Sequence, residues 1–310
     1  MNGQVIRNTG SWYVVRTISG EQINCKVKGN FRIKGIRTTN PVAVGDIVNI
    51  IINADNTGFI TEIFPRKNYI IRKASNLSKE SHILAANIDR AYLVATIKEP
   101  ITTTTFIDRF LATAEAYNIP ATLILNKSDI WNDEDKELAE AICYLYKSIG
   151  YDVIITSTLT SEGINTLNEQ LAGNISLLAG NSGVGKSSII NSIIPNLNIR
   201  VGEISDTHHT GTHTTTFSEM YSLPQGGEII DIPGVKGFGT IDFDPTEVSH
   251  YFPEIFRTSS KCRYNNCTHI HEPGCAVLEA LENQEISQSR YTSYLSIIED
   301  ANPDKYRKPF

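Results

Sequence analysis

The chain has no apolar run that reaches the roughly 18 consecutive residues a membrane-spanning helix needs. Its first ten residues lack the apolar stretch of a secretory signal peptide. It shows no internal repeat and no low-complexity segment. Its cysteines number five, and an odd count without a signal peptide argues against a disulfide framework. These absences exclude a helical membrane protein, a repeat array and a disulfide-stapled secreted domain. A cytoplasmic location is expected.

What is present is an ordinary globular composition, 40% hydrophobic and 20% charged over 310 residues. That length suits about two or three domains. The net charge of -6 speaks against a nucleic-acid partner, but the average hides an asymmetry. Residues 1–73 hold eleven basic side chains against four acidic ones. A locally basic domain on an acidic chain can dock on phosphate backbones; the alternative is a solvated surface of a small β domain.

Residues 1–67 read as short strands between turns. Ser11–Arg16 and Asp46–Ile52 are rich in β-branched and aromatic residues, and glycines punctuate them. A five-stranded oligonucleotide-binding (OB) barrel leads, with an SH3-like barrel as the alternative. From about residue 74 strands and helices alternate, which implies a mostly parallel sheet covered on both faces. Strands are expected at Asp89–Ala95, Ala121–Leu125, Val153–Ile155 and Ile175–Ala179, and a hairpin at Thr216–Ile232. Helices are expected at Phe106–Tyr117, Asp133–Ile149 with Asp133 as cap, Gly163–Ala172 and Lys186–Ile194. Asp242–Pro273 reads as irregular, followed by helices at Cys275–Leu281 and Ser289–Ile298.

Gly180-Asn181-Ser182-Gly183-Val184-Gly185-Lys186-Ser187 is a complete phosphate-binding loop between an expected strand and an expected helix, and Ser188 follows it. Its glycines let backbone N–H groups turn inward onto phosphate oxygens. Lys186 can reach the β and γ phosphates, and the Ser187 hydroxyl can ligate Mg²⁺. Asn126-Lys127-Ser128-Asp129 reads as a guanine-recognition loop at the carboxyl end of a strand, where open α/β sheets bind ligands. The Asp129 carboxylate can accept from both N1–H and the exocyclic amine of guanine, donors that adenine does not present together. A site built around such bonds rejects the wrong base by ~10⁴ or more. Lys127 is expected along the base plane, and Thr156-Ser157 is a candidate backbone contact to the guanine carbonyl. Alone, Asn126–Asp129 would also suit a capping turn.

Asp231-Ile232-Pro233-Gly234 ends the last expected strand. An aspartate here meets Mg²⁺ through water, and the Gly234 amide senses the γ-phosphate. The next residue is Val235, where many GTPases carry a water-orienting glutamine, so another group must orient the water or a partner must complete the site. His213 is the candidate, against a reading as a plain loop histidine. Thr214 and Thr215 are both candidates for the switch threonine on Mg²⁺. Further on, Cys262-x₄-Cys267-x-His269-x₅-Cys275 offers three thiolates and one imidazole, a closed tetrahedral set for structural Zn²⁺, with His271 as a spare donor.

The base-reading loop precedes the phosphate loop, the reverse of the usual GTPase order. That order, the basic barrel before it and the Cys₃His run after it together resemble the ribosome small subunit-dependent GTPase A family, within the circularly permuted GTPases. The resemblance covers essentially the whole chain, and Gly211-x-His213-Thr214-Thr215 is similar to the family's switch, with Thr212 replacing an arginine. The resemblance implies a multidomain fold: an OB-like barrel over 1–70, a permuted α/β P-loop GTPase domain over 71–238 and a zinc-binding helical module over 239–310. It implies a GTP hydrolase, slow alone and stimulated by the small ribosomal subunit, acting late in maturation of that subunit. GTP and GDP, Mg²⁺ and one structural Zn²⁺ are the implied cofactors. Ribosomal RNA is the implied contact of barrel and zinc module, with hydrolysis coupled to binding and release; a monomer is expected, with no membrane partner. The competing readings are a GTP-gated RNA-binding module and a signalling switch. The short distance from Asp231 to the zinc module also suggests that GTP loading sets the angle between that module and the barrel.

Overall fold

The computed structural model describes residues 1–27, 41–73, 81–199, 218–232 and 243–301. Within them, the first five strands are β1 (Asn2–Asn8), β2 (Tyr13–Thr17), β3 (Gln22–Val27), β4 (Ile47–Ile52) and β5 (Gly58–Ile63). They alternate inward and outward residues, and Val5, Tyr13, Val15, Ile23, Cys25, Val48, Ile50 and Ile60 fill one interior. Their order is β1-β2-β3-β5-β4, closed by β4 on β1, with β3 and β5 parallel. That Greek-key route with one parallel pair is the OB barrel, and it decides against the SH3-like alternative. Cys25 is a core thiol: burial pushes it up to about 11, which suppresses the reactive thiolate.

A hairpin of β6 (Tyr69–Lys73) and β7 (Ser81–Ala86) follows, which the sequence reading did not anticipate. It is seated on the barrel where the Ala86 N–H donates to the Val44 carbonyl at 2.9 Å.

The α/β part comprises β8 (Arg90–Ala95), α1 (Thr104–Ala116), β9 (Ala121–Asn126), α2 (Asp133–Ile149), β10 (Asp152–Thr156), α3 (Ile164–Leu171), β11 (Ile175–Gly180), α4 (Lys186–Ile193), β12 (Glu219–Ser222) and β13 (Glu228–Asp231). Its strand order is β10-β9-β8-β11-β13-β12, parallel except for β12. Both faces are buried, so the strands read as continuous apolar runs. In β8, Ala91, Leu93 and Ala95 pack with α1 residues Phe106, Phe110 and Leu111, while Tyr92 and Val94 pack with Leu167 of α3 and Ile189 of α4. Asn132, not Asp133, caps α2: its side chain accepts from the Asp135 N–H at 2.8 Å, and Asp135 accepts from the Asn132 N–H in return. The reciprocal bond fixes the cap one residue earlier than expected.

Among the described residues the barrel and the α/β sheet are one continuous eleven-stranded sheet, because β1 pairs with β12 at Arg7 and Glu219. Side chains reinforce the seam. Arg7 pairs with Glu219, and Arg16 reaches Glu228 at 2.6 Å and the Ser222 hydroxyl at 2.7 Å.

Beyond residue 243 come α5 (Pro253–Ser259), α6 (Ala276–Glu282) and α7 (Gln288–Ala301). The first lies inside the stretch read as irregular: Pro253 at its first position supplies a helical φ and lacks an N–H that would be unsatisfied there anyway. Phe252, Ile255, Val277, Tyr291, Tyr294 and Ile297 share a core with Ala112 of α1. At this contact Arg290 is fully buried, donating to Asp108 of α1 at 2.8 Å and to both carboxylate oxygens of Glu254 at 2.7 and 3.1 Å. The Tyr146 hydroxyl of α2 donates to the same Asp108 oxygen at 2.7 Å. The C-terminal helices are thus clamped to the α/β part by a desolvated ion network. Removing one member strands the others, which costs about 3–5 kcal/mol. Arg290→Ala is expected to lower the unfolding free energy by about that amount in urea melts; a loss under about 1 kcal/mol would mean the clamp contributes little.

Candidate functional site

Parallel pairing brings the ends of five strands to one edge. Thr156 sits beside Asn126, Leu125 beside Ala95, Gly180 beside Val94, and Asp231 beside Leu178. The chain runs outward from β8 through β9 to β10, then returns to β11 and runs the other way through β13. The strand order therefore reverses between β8 and β11, which opens a crevice where such sheets take ligands. Asn126–Asp129, Thr156-Ser157, Gly180–Ser188 and Asp231 all stand at this edge.

Asn126 ends β9 and is 2% exposed. Its amide donates to the Val184 carbonyl in the phosphate loop at 2.8 Å, and its oxygen accepts from the Thr156 hydroxyl at 2.9 Å. One side chain thus ties three loops together. Lys127 takes a left-handed backbone (φ 67) and donates to the Glu99 carbonyl; burial lowers its pKa, opposed by Glu99 and Asp129. Ser128 donates to Glu162. The Ser157 hydroxyl donates to Asp129 Oδ1 at 2.5 Å while accepting from the Leu159 and Thr160 N–H groups at 3.2 Å each. The Ser157 N–H itself is taken by the Glu162 carbonyl at 3.1 Å. Ser157 therefore orients Asp129 through its hydroxyl, where the sequence had suggested a backbone contact to the base. Glu162 escaped the sequence reading; the glycine after it, Gly163 in left-handed geometry (φ +66), was the available sign of a loop folding back.

The phosphate loop turns on Gly180, Gly183 and Gly185, all at positive φ, and runs into α4 at Lys186. Asn181, Ser182 and Ser188 are partly exposed on or beside it, and Ser187 is buried at the helix start. The Lys186 ammonium is tucked in, donating to the Gly180 and Asn181 carbonyls at 2.9 Å each. Burial lowers the Lys186 pKa, and the Asp231 charge opposes that shift. A phosphate adds further opposite charge at this buried amine. Asp231 is itself fully buried at the end of β13, on the lysine side of the crevice. The Ser187 hydroxyl and the Asp231 carboxylate are hard oxygen donors of the type Mg²⁺ takes. His213, Thr214, Thr215, Gly234 and Val235 lie outside the described residues.

The second site is separate. Cys262, Cys267, His269 and Cys275 place one ligand atom each within 4.8 Å of one another. His269 Nδ1 stands 3.6 Å from Cys262 Sγ and 3.4 Å from Cys275 Sγ, and those sulfurs are 4.0 Å apart. A tetrahedron with Zn–S ≈ 2.3 Å and Zn–N ≈ 2.0–2.1 Å has edges of roughly 3.5–3.8 Å, so the donor set fits Zn²⁺. His269 rather than His271 belongs to it: His269 is 2% exposed, whereas His271 is on the surface. Burial, with the neighbouring sulfurs adding to it, pushes the Cys267 thiol up to about 12. Such thiols ionise together only when a cation joins them. Burial raises the Cys275 thiol as well, opposed by the Leu278 and Val277 N–H groups at the start of α6.

Comparison with known proteins adds an independent line. The sequence profile described as RsgA GTPase matches residues 63–241, and that of the RsgA N-terminal domain matches residues 2–60. The chain is 58% identical to a Phocaeicola vulgatus protein named small ribosomal subunit biogenesis GTPase RsgA, over the full length of both. The crystal structure of YjeQ from Thermotoga maritima matches with a TM-score of 0.75 at 33% identity, covering 97% of this chain and 98% of that one. YloQ, titled a circularly permuted GTPase, matches at 0.71 and 30% identity, covering 99% and 96%.

Gly185 gives the crevice its sharpest steric test. A Cβ built there would stand 2.3 Å from Asn126 Nδ2, at a φ of +97 that L side chains rarely adopt. Gly185→Ala therefore strains the loop and pushes Asn126 off Val184, at a cost of about 1–3 kcal/mol. Titration with a fluorescent guanine nucleotide is expected to show affinity falling about tenfold or more, with the fold retained by circular dichroism. Unchanged affinity would contradict the Asn126 tether.

Proposed function

The chain belongs to the RsgA GTPase family, and from that premise we propose that it hydrolyses GTP in the biogenesis of the small ribosomal subunit, with the crevice between β8 and β11 as its nucleotide site. The observation that carries the site assignment is the Asn126 side chain, which joins the base-reading loop to the phosphate loop. Two motifs far apart and reversed along the chain thereby face one ligand. Asp129, oriented by Ser157, accepts from the guanine edge. Lys186 and the loop N–H groups from Gly180 to Ser188 hold the β and γ phosphates. Ser187 and Asp231 would hold Mg²⁺, which when bound would supply positive charge against the phosphates. Thr214 or Thr215 would complete that ligation. The Gly234 amide reports the γ-phosphate, and His213 orients the attacking water in place of the glutamine that Val235 replaces.

The surroundings support a reading in which the partner completes catalysis. The barrel's excess of basic side chains suits ribosomal RNA. β12, which joins the barrel to the sheet, begins four residues after Thr215. A change at the γ-phosphate therefore has a direct mechanical route to the barrel, while the Arg290 network supports the zinc module moving with α1. In this reading the OB barrel spans 1–70, the GTPase domain 71–238 and the zinc module 239–310. The protein works in the cytoplasm as a monomer that binds late subunit precursors and leaves after hydrolysis.

Phosphate release measured with GTP and with ATP, each with and without purified small ribosomal subunits, tests base choice and partner together. The expected pattern is slow GTP turnover alone, stimulation of at least about tenfold by subunits, and no ATP turnover. Binding to subunits without stimulation would make the chain a nucleotide-gated RNA-binding module instead.

A further inference from the structure

The Cys₃His site has an acidic neighbour that is not among its ligands. Glu272 lies three residues after His269 and three before Cys275, and a carboxylate at such spacing is itself a metal donor by type. Here both its oxygens are turned into the ligand loop. Oε1 accepts from the Thr268 N–H at 2.8 Å and from the Thr268 hydroxyl; Oε2 accepts from the Ile270 N–H at 3.0 Å and the His271 N–H at 3.2 Å. The carbonyls of the same loop are held from the other side by α7: the Tyr291 hydroxyl donates to the His269 carbonyl at 2.7 Å and the Tyr294 hydroxyl to the Thr268 carbonyl at 2.8 Å. Between these clamps His269 takes a left-handed backbone (φ 56), which an L residue adopts only when its neighbours impose it.

We infer that Glu272 is the positioning residue of the metal site: it folds the loop 268–271 into its ligand-presenting shape, and so sets how tightly zinc is held, without touching the ion. This rests on reading the Cys₃His cluster as a zinc site. None of the four donors that Glu272 engages is a ligand atom, so its network is complete without the metal. The ordering cost of the loop is met by hydrogen bonds that stand before the ion arrives, and less of the metal's binding free energy goes into shaping the site. The carboxylate needs both oxygens for this. An amide at the same place keeps one acceptor and turns an NH₂ group toward N–H donors.

The test uses the full-length, zinc-loaded chain. Zinc affinity is measured by competition with a chromophoric chelator for wild type and Glu272→Gln, with amide hydrogen exchange at residues 268–271 and guanine-nucleotide affinity followed in parallel. The expected result is zinc affinity lower by about 10–100-fold in Glu272→Gln, faster exchange at 270 and 271 even when zinc-loaded, and nucleotide affinity unchanged within about twofold. Zinc affinity within about twofold of wild type would overturn the inference. If Glu272→Gln is not recovered folded, Thr268→Val removes only the hydroxyl donor; it must weaken zinc by about threefold or more, and no weakening overturns the inference. A wild-type chain that takes up no zinc sinks the metal reading first, and that outcome is visible before any variant is compared.

Discussion

The site depends on one hydrogen-bonded side chain. Asn126 donates to the Val184 carbonyl at 2.8 Å and accepts from the Thr156 hydroxyl at 2.9 Å, out of reach of solvent. In a buried setting those bonds cannot be exchanged for water without leaving a backbone carbonyl and an amide unpaired, a loss of roughly 1–3 kcal/mol each. The loop that carries Asp129, the loop that carries Ser157 and the loop that carries Lys186 are therefore one unit. The bare backbone of Gly185 makes room for it, since any Cβ there would collide with the Asn126 amide.

That local tether explains how a reversed motif order can give a working crevice. Parallel pairing places the carboxyl ends of β8, β9, β10, β11 and β13 at one edge whatever order the chain visits them in. The reversal changes what hangs from the ends of the sheet. At one side β12 continues into the barrel through β1, with the Arg7–Glu219 and Arg16–Glu228 pairs across the seam. At the other side the Arg290 network fixes the C-terminal helices beside the Cys₃His cluster to α1 and α2. The seam pairs are partly solvated, whereas Arg290 is fully buried with two carboxylates and adjacent aromatic rings. Exposed ion pairs yield at little cost and buried networks do not. Of the two junctions, the side-chain pairs at the barrel seam are thus the less costly to separate.

Much of this was legible in the sequence because it is local. A phosphate loop is eight consecutive residues with fixed chemistry, and buried parallel strands announce themselves as short apolar runs, as Ala91–Ala95 does. The Cys₃His run was readable for the same reason. What escaped was set by contacts distant along the chain or by choices between equivalent residues. The parallel β3–β5 pair that makes the barrel an OB fold leaves no periodic signal. Asn132 and Asp133 both suit a cap, and only the reciprocal bond to Asp135 decides between them. Arg290 sits on α7 with nothing in its neighbours to mark it as buried, since its partners are 36 and 182 residues away. Glu272 belongs to no sequence motif, and only its bonds to the 268–271 loop reveal it. The α5 helix was hidden in a stretch whose prolines and cysteines read as irregular.

The central claim is that Asp129 reads the base of the same nucleotide whose phosphates Lys186 holds. Phosphate release by Asp129→Asn with guanosine and xanthosine triphosphates tests it most directly. Xanthine carries a carbonyl where guanine carries the exocyclic amine, so an asparagine amide can donate to it where the aspartate would repel it. The account predicts that the substitution lowers turnover efficiency with GTP by about 10²-fold or more and raises it with xanthosine triphosphate. Unchanged preference for GTP over xanthosine triphosphate in the variant would contradict it.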